Sequence, residues 1–332
     1  IVLMALTFPD ADNGFETFTK LKTVLPDVPV VGGARPMEVY ELSRFVANGL
    51  QHNIQRDDAG NFLFLLLPTL ESTYRAAAAE RSRKLAERLR EEIESVRRLQ
   101  ESVIPRDLPV PPGYEIAARY ETSQIKVLGN RPVVMAGGDY YDVFSMGPNE
   151  LVLLVGDASG HGMKACMSIM TMHTLIRMIR EHRYKDTAEF VAEVNNRLCE
   201  QQIIRDEGGF ITLLYCVLNT ETHMLEWTSA GHQMPLLQDL GTNEVHQLGT
   251  DEDGGLPLGI AGSVPYDKLT APIPPNSRVL LYTDGLIEAF PEGKEEHREF
   301  GMDGVIRTLK ETAMATWIRR TLLWLVLPLL GM

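Results

Sequence analysis

Leu151-Val152-Leu153-Leu154-Val155-Gly156-Asp157-Ala158-Ser159-Gly160-His161-Gly162 is an apolar run that ends in an acid among glycines. The run reads as a β-strand, and Asp157 stands where it stops. Two other stretches repeat the arrangement. Asp139 follows Pro132-Val133-Val134-Met135-Ala136 through Gly137-Gly138, and Asp284 follows Arg278-Val279-Leu280-Leu281-Tyr282 through Thr283. Three acids far apart in the chain are therefore expected to meet at one edge of a sheet. Hard carboxylate oxygens gathered in this way suit a divalent metal such as Mg²⁺ or Mn²⁺.

The composition around these stretches is that of a globular protein long enough for two domains: 332 residues, 44% hydrophobic and 23% charged. A formal net charge of −13 argues against a nucleic-acid role, which needs clustered cations to neutralise phosphates. Basic residues do gather between Arg75 and Arg98, but Glu80, Glu87, Glu91, Glu92 and Glu94 interleave with them, which marks a solvated helix face. Cys166, Cys199 and Cys216 are too widely spaced for a paired metal motif and suggest no disulfide framework, so a reducing cytoplasm is expected. The chain opens on Ile1 with no basic-then-apolar leader, which reads as a fragment of a longer product. The apolar tail from Thr321 to Leu330 is shorter than the roughly 20 residues that span a bilayer, and no membrane role is expected.

Working back toward the start, residues 1–70 alternate apolar runs with helical patterns in a βαβαβα rhythm, the mark of a parallel sheet. This segment resembles the latter part of a response-regulator receiver domain, a flavodoxin-like α/β fold. Ala5 occupies the position of the phospho-accepting aspartate, Gly33-Ala34 that of the hydroxyl residue and its alanine, and Gln55-Arg56-Asp57 that of the lysine-proline pair. The resemblance therefore implies a truncated, degenerate receiver. From Phe62 one helix is expected to run through Ala76-Ala77-Ala78-Ala79 to about Val103. Leu85, Leu89, Val96, Leu99 and Val103 fall on a and d positions, a short coiled-coil pattern that favours a parallel homodimer, with an isolated amphipathic helix as the alternative. The boundaries follow: a receiver remnant at 1–70, a helical linker at 71–108, and a further domain at 109–332 opened by Leu108-Pro109-Val110-Pro111-Pro112-Gly113. In that domain strands are expected near 114–122, 132–136, 151–156, 210–219, 223–229 and 278–283, and helices at 163–182, 187–203 and 302–313. Short turns such as Asn219-Thr220-Glu221-Thr222 join antiparallel pairs and point to an α+β sandwich.

Five motifs appear in order: Gly137-Gly138-Asp139-Tyr140-Tyr141-Asp142-Val143-Phe144, Val155 to Gly162, Ser229-Ala230-Gly231-His232-Gln233-Met234-Pro235, Gly255-Leu256-Pro257-Leu258-Gly259, and Leu281 to Ala289. On these motifs, residues 109–313 resemble the SpoIIE/RsbU-like branch of the metal-dependent serine/threonine protein phosphatases, the PPM or type-2C group. The resemblance implies a PPM-type β-sandwich flanked by helices and two Mn²⁺ or Mg²⁺ ions that activate water for attack on phosphorus. By motif position Asp139 binds one metal, Asp157 bridges both, the Ala158 carbonyl completes the first site, and Asp284 binds the second. Asp142 is a candidate to support those ligands. Taken singly, each acid would be a cap or turn residue. His161 and His232 are candidates either for protonating the leaving oxygen or for loop hydrogen bonding, the second being favoured, and Met163, Met167, Met170, Met172 and Met178 are assigned to core filling.

One departure stands out. The family ordinarily closes on an Asp-Asp-Ile/Met-Thr strand, whereas this chain has no Asp or Glu after Glu311. The expectation is an incomplete second metal site, a lost core strand and a tail of exposed leucines. The function implied is a cytoplasmic bacterial signalling phosphatase acting on a phosphoserine or phosphothreonine protein, by analogy an anti-sigma-factor antagonist of the STAS type. The alternative is a pseudophosphatase that serves as a signalling scaffold.

Overall fold

Three parallel strands open the chain: β1 (Val2–Ala5), β2 (Val30–Ala34) and β3 (His52–Gln55), in that order across the sheet. They alternate with α1 (Ala11–Val24), α2 (Leu42–Ala47) and α3 (Phe62–Val103). Asp10 caps α1 by accepting from the Asp12 and Asn13 amides. Leu6, Phe18, Val30, Leu42 and Phe45 form the small core between helices and sheet. This is the α/β arrangement expected of residues 1–70. The long helix starts at Phe62 as expected but contains Pro68, which removes one amide donor from its second turn.

The computed structural model describes residues 1–120, 125–128, 131–134, 137–160, 162–182, 184–202, 204, 209–289, 299–313 and 321–326. The chain divides into two units, Ile1–Leu89 and Arg90–Met332, so the C-terminal turns of α3 belong with the second.

In the second unit two five-stranded sheets stack face to face. One has the order β13-β10-β9-β8-β7 and the other β12-β11-β14-β15-β4. The first is built from β7 (Asp139–Gly147), β8 (Glu150–Ala158), β9 (Ile211–Asn219), β10 (Met224–Ala230) and β13 (Leu269–Pro272), each antiparallel to its neighbours. The second comprises β4 (Tyr114–Arg119), β11 (Leu236–Asp239), β12 (Val245–Gln247), β14 (Ser277–Tyr282) and β15 (Thr321–Val326). A separate antiparallel pair joins β5 (Ile125–Leu128) to β6 (Arg131–Val134).

Strand alternation explains the layering. Tyr141, Val143, Leu151, Leu153, Val155, Leu214, Cys216 and Leu218 point toward the other sheet and meet Met234, Leu237, Val279 and Leu281. Their neighbours Tyr140, Phe144, Val152, Leu154, Leu213 and Tyr215 point the other way, under α4 (Met163–Ile179) and α5 (Thr187–Cys199). Leu236, Leu280 and Tyr282 do the same for the second sheet beneath α6 (Gly301–Thr312). Both faces of β8 are buried, which is why its sequence is a continuous apolar run rather than an alternating one. The sandwich flanked by helices is the fold expected for this part of the chain.

Four expectations need correction. Asp139 does not follow the end of a strand but is the first residue of β7, a strand that the Gly137-Gly138 break concealed. The strand placed at 132–136 is β6, at Arg131–Val134, and Met135 and Ala136 lie outside the described residues. The final strand is not lost: Thr321-Leu322-Leu323-Trp324-Leu325-Val326 forms β15, between β14 and β4 and parallel to both. A strand with a neighbour on either side suits a continuous run of β-formers. Finally, of the helix methionines only Met172 is fully buried, and Met163, Met167 and Met178 are exposed. The helix turns that face away from β7 and β8, so a stripe of four-residue spacing ends at the surface.

Candidate metal centre

The strand β7 pairs with β8 so that Asp139 lies directly across from Asp157. Both share the strand face that carries Tyr141 and Val155 toward the opposing sheet. Asp284 arrives from that opposing sheet, two residues past the end of β14, where it opens a 3₁₀ turn, Asp284–Leu286. The three acids singled out in the sequence thus come to the same end of the sandwich, two from one sheet and one from the other.

Like charges directly opposite across a strand pair destabilise it. Burial dominates the titration of the acids, and repulsion adds to it. Burial raises the Asp139 carboxyl to about 7, and the charge of Asp284 adds to the rise. The Thr283 hydroxyl takes part of it back, although it is buried and makes no hydrogen bond of ordinary geometry. Burial is also the main cause that lifts Asp157, to about 8, with Asp139, Asp284 and Glu288 adding repulsion. Glu288 itself is raised, first by Asp284, then by burial and by Glu299.

Gly138 leaves the space these oxygens occupy. A β-carbon there would lie 2.7 Å from the Ala158 carbonyl oxygen and 2.9 Å from Asp157 Oδ1. The Gly138 carbonyl in turn accepts from the Ala158 amide at 2.9 Å, which fixes the two backbones together. Among the described residues no three His, Cys, Asp or Glu side chains already close around a point that an ion would occupy. The donor set nonetheless fits a hard divalent cation: two opposed carboxylates, the Ala158 carbonyl beside them, all of them oxygen donors, and a glycine that keeps the space open.

His232 is 5% exposed and ties the two halves of the site from behind. Its Nε2 lies 3.0 Å from the Tyr282 carbonyl, which can only accept, so Nε2 carries the proton. Its Nδ1 then accepts from Thr212 Oγ1 at 2.8 Å, and Thr212 also lies 3.4 Å from the Asp157 carbonyl. Burial lowers the imidazole to about 4, so it is neutral in the fold. This is the loop-bonding role expected of it. His161 lies outside the described residues.

Asp142 does not join the other acids. It points to the helix face of β7, is 0% exposed, and pairs with Arg177 Nη2 of α4 at 2.8 Å. Tyr140 donates to Asp142 Oδ2 at 3.2 Å and also pairs with His173 Nδ1. This cluster fastens α4 to β7. Sequence reasoning passed over Thr212, Thr283 and Gln100, polar residues of common type whose burial no spacing reveals.

Asp284 has a different neighbourhood from the opposed pair. On β14 the partner strand is β15, and its site end aligns Leu325 with Leu281 and Val326 with Tyr282. No acid stands there.

Comparison with known proteins follows the same outline. A family model described as Stage II sporulation protein E (SpoIIE) matches residues 147–323, more than half of the chain. The match includes Asp157, Ala158, Asp284 and the start of β15, and begins just after Asp139. Protein IcfG of Synechocystis sp. (strain ATCC 27184 / PCC 6803 / Kazusa) is 26% identical over 242 residues, 66% of this chain and 35% of that protein. Phosphoserine phosphatase RsbU of Bacillus subtilis (strain 168) is 23% identical over 271 residues, 82% of this chain and 74% of that protein. The chain therefore spans about a third of the first relative and about three quarters of the second. Among solved structures, the RsbU and RsbW domains of Rv1364c from Mycobacterium tuberculosis align at 24% identity and a TM-score of 0.43, covering 64% of this chain and 51% of that one. With the matched stretch running through both sheets and two of the three acids, the chain belongs to the SpoIIE family of PP2C-type phosphatase domains.

Proposed function

We propose that the chain is a metal-dependent protein serine/threonine phosphatase of bacterial signalling, acting on phosphoserine or phosphothreonine in a small regulatory protein. The observation that carries this reading is the direct opposition of Asp139 and Asp157 inside a SpoIIE-family sandwich. Asp139, Asp157 and the Ala158 carbonyl would hold a first Mn²⁺ or Mg²⁺, and Asp157 with Asp284 a second. Such ions, when bound, supply a water nucleophile at neutral pH and offset charge on the phosphoryl oxygens. The chain's own contribution is to hold two carboxylates in fixed opposition and to keep Asp284 facing them through the His232 tie. The similarity to a phosphoserine phosphatase supports a protein phosphoester as substrate. An anti-sigma-factor antagonist of the STAS type is the partner that fits by analogy.

The rest of the reading concerns organisation. Residues 1–70 act as a degenerate receiver that forms no aspartyl phosphate, since Ala5 closes β1 where the acid would stand. Residues 71–108 act as linker and 109–332 as the phosphatase. Leu85 and Leu89 are exposed on α3, as a homodimer seam requires. A cytoplasmic site of action belongs to the same reading; no helix among the described residues is long and apolar enough to cross a membrane.

A second reading, a pseudophosphatase that scaffolds signalling, draws on the apolar β15 beside Asp284. Hydrolysis of p-nitrophenyl phosphate with and without Mn²⁺ separates the two. Metal-dependent turnover that disappears in Asp157→Asn supports the enzyme. A folded chain that binds Mn²⁺ without turnover establishes the scaffold.

A further inference from the structure

The last turns of α3 reach the candidate metal centre through one side chain. Gln100 is 1% exposed, although its neighbours Arg98, Leu99 and Ser102 face solvent. Its amide grips Gly137 from both sides. Oε1 accepts from the Gly137 amide at 3.0 Å, and Nε2 donates to the Gly137 carbonyl at 2.9 Å. Nε2 also lies 3.4 Å from the Asp139 carbonyl. One side chain thus satisfies a backbone donor and acceptor together, as a neighbouring strand would.

The helix that carries Gln100 is itself held against the sandwich. Ile93, seven residues earlier on the same face, is buried, and Val103 packs on the core beneath α4 and α5. Just beyond the helix, Ile104 and Leu108 pack between the sheets. The clasp therefore joins two fixed elements, α3 and the Gly137-Gly138 turn that delivers Asp139 to its place opposite Asp157. Gly138 has no side chain to restrain that turn: the Ala158 amide holds its carbonyl from β8, and Gln100 holds the preceding residue from α3.

We propose that Gln100 is a positioning residue: it fixes the backbone at Gly137–Asp139 and so sets the separation of the Asp139 and Asp157 carboxylates. The end of α3 thereby acts on the metal centre without contributing a ligand. The inference deepens the phosphatase reading and rests on it for the metal. A chain cut at Pro109 would lose this clasp together with the Val103, Ile104 and Leu108 contacts, so such a cut does not isolate the effect.

The test uses the full chain with Gln100→Met, which keeps the length and removes the hydrogen bonds. Mn²⁺ is titrated while thermal unfolding and p-nitrophenyl phosphate hydrolysis are followed. The half-effective Mn²⁺ concentration is expected to rise by about tenfold or more in both readouts, as for other residues that orient a ligand. The rate at saturating Mn²⁺ is expected to recover. Gln100→Asn, which keeps an amide on a shorter stem, should fall between, and decides the matter if the Met variant does not fold. Ser102→Ala, on the exposed side of the same turn, should match the wild type. A Gln100 variant that melts earlier without metal yet keeps the wild-type Mn²⁺ midpoint overturns the proposal and leaves the phosphatase reading intact. A wild-type chain with no response to Mn²⁺ in either readout overturns both.

Discussion

The two strand pairs that frame the candidate centre differ in one respect. Across β7 and β8 an acid faces an acid, Asp139 against Asp157. Across β14 and β15 the acid-bearing strand runs beside Leu325 and Val326. Both pairs are continuous as sheet, the first antiparallel and the second parallel. Only the first sets two acids directly opposite each other on its ladder. Backbone pairing can therefore be complete whether or not a second acid stands opposite, because the ladder itself is made by main-chain amides and carbonyls.

The largest expected effect tests whether the two sides are unequal. Asp157→Asn removes a ligand shared by both ions and should lower Mn²⁺-dependent hydrolysis by more than about a hundredfold, beyond what an orienting neighbour contributes. Asp284→Asn, on the side that lacks a second acid, should lower it by only about tenfold. Steady-state rates over a Mn²⁺ series give both numbers. Equal losses would mean that Asp284 is as fully engaged as Asp157, and the contrast between the strand pairs would be wrong.

The next prediction concerns the tie between the sides. His232 has a folded value of about 4 against an ordinary 6.5, because burial excludes the charged ring. A base with a lowered folded pKa takes up its proton more readily when unfolded. Its contribution is therefore complete above pH 6.5 and is lost as pH falls from 6.5 toward 4. The shift corresponds to a loss on the order of 3 kcal/mol across that window. Urea unfolding at several pH values should show this slope in the wild type and a flatter one in His232→Asn. Parallel slopes would place the acid sensitivity elsewhere.

A smaller effect is expected from closing the space at the opposed pair. In Gly138→Ala the new methyl meets backbone and carboxylate oxygens below 3.0 Å, so the strand must shift. The cost should be about 1–3 kcal/mol, as for other overpacked sites, with weaker Mn²⁺ binding. Gly147→Ala, at the far end of β7, meets nothing nearer than a Glu150 side-chain oxygen at 3.7 Å and should change little. Differential scanning of both variants with and without Mn²⁺ distinguishes a local from a general effect.

What the sequence made legible follows the same division. The apolar runs of β8 and β14, and the acids after them, were readable because a strand buried on both faces leaves no polar residue until it ends. The strand β7 was misjudged because its polar start, Asp139-Tyr140-Tyr141-Asp142, mixes residues with two separate fates. Asp139 turns toward the sheets and Asp142 toward Arg177, and a period of two cannot say which polar partner awaits on each face. The strand β15 was misread as a loose tail because its apolar run has no acid to announce a site, although it forms sheet as well as β8 does. Gln100 was invisible for a simpler reason: an amide in a charged helix looks solvated until its partner, distant in the chain, is known.

The smallest effect is the most discriminating, because function and stability should move in opposite directions. Asp157→Asn, which should abolish turnover, removes one of two directly opposed carboxylates, so the metal-free chain should gain roughly 0.2–1 kcal/mol. For a unit of this size that is a rise in melting temperature of about 1–3 °C. Asp142→Asn supplies the contrast from the other face of the same strand. There the carboxylate is paired with Arg177 and bonded by Tyr140, so its loss should lower the metal-free melting temperature and leave the Mn²⁺-induced rise in place. Thermal unfolding of both variants with metal chelated, then with Mn²⁺ restored, gives four temperatures. If Asp157→Asn melts below the wild type without metal, the opposed pair holds no repulsion for a cation to relieve, and Asp157 stabilises the hairpin in its own right.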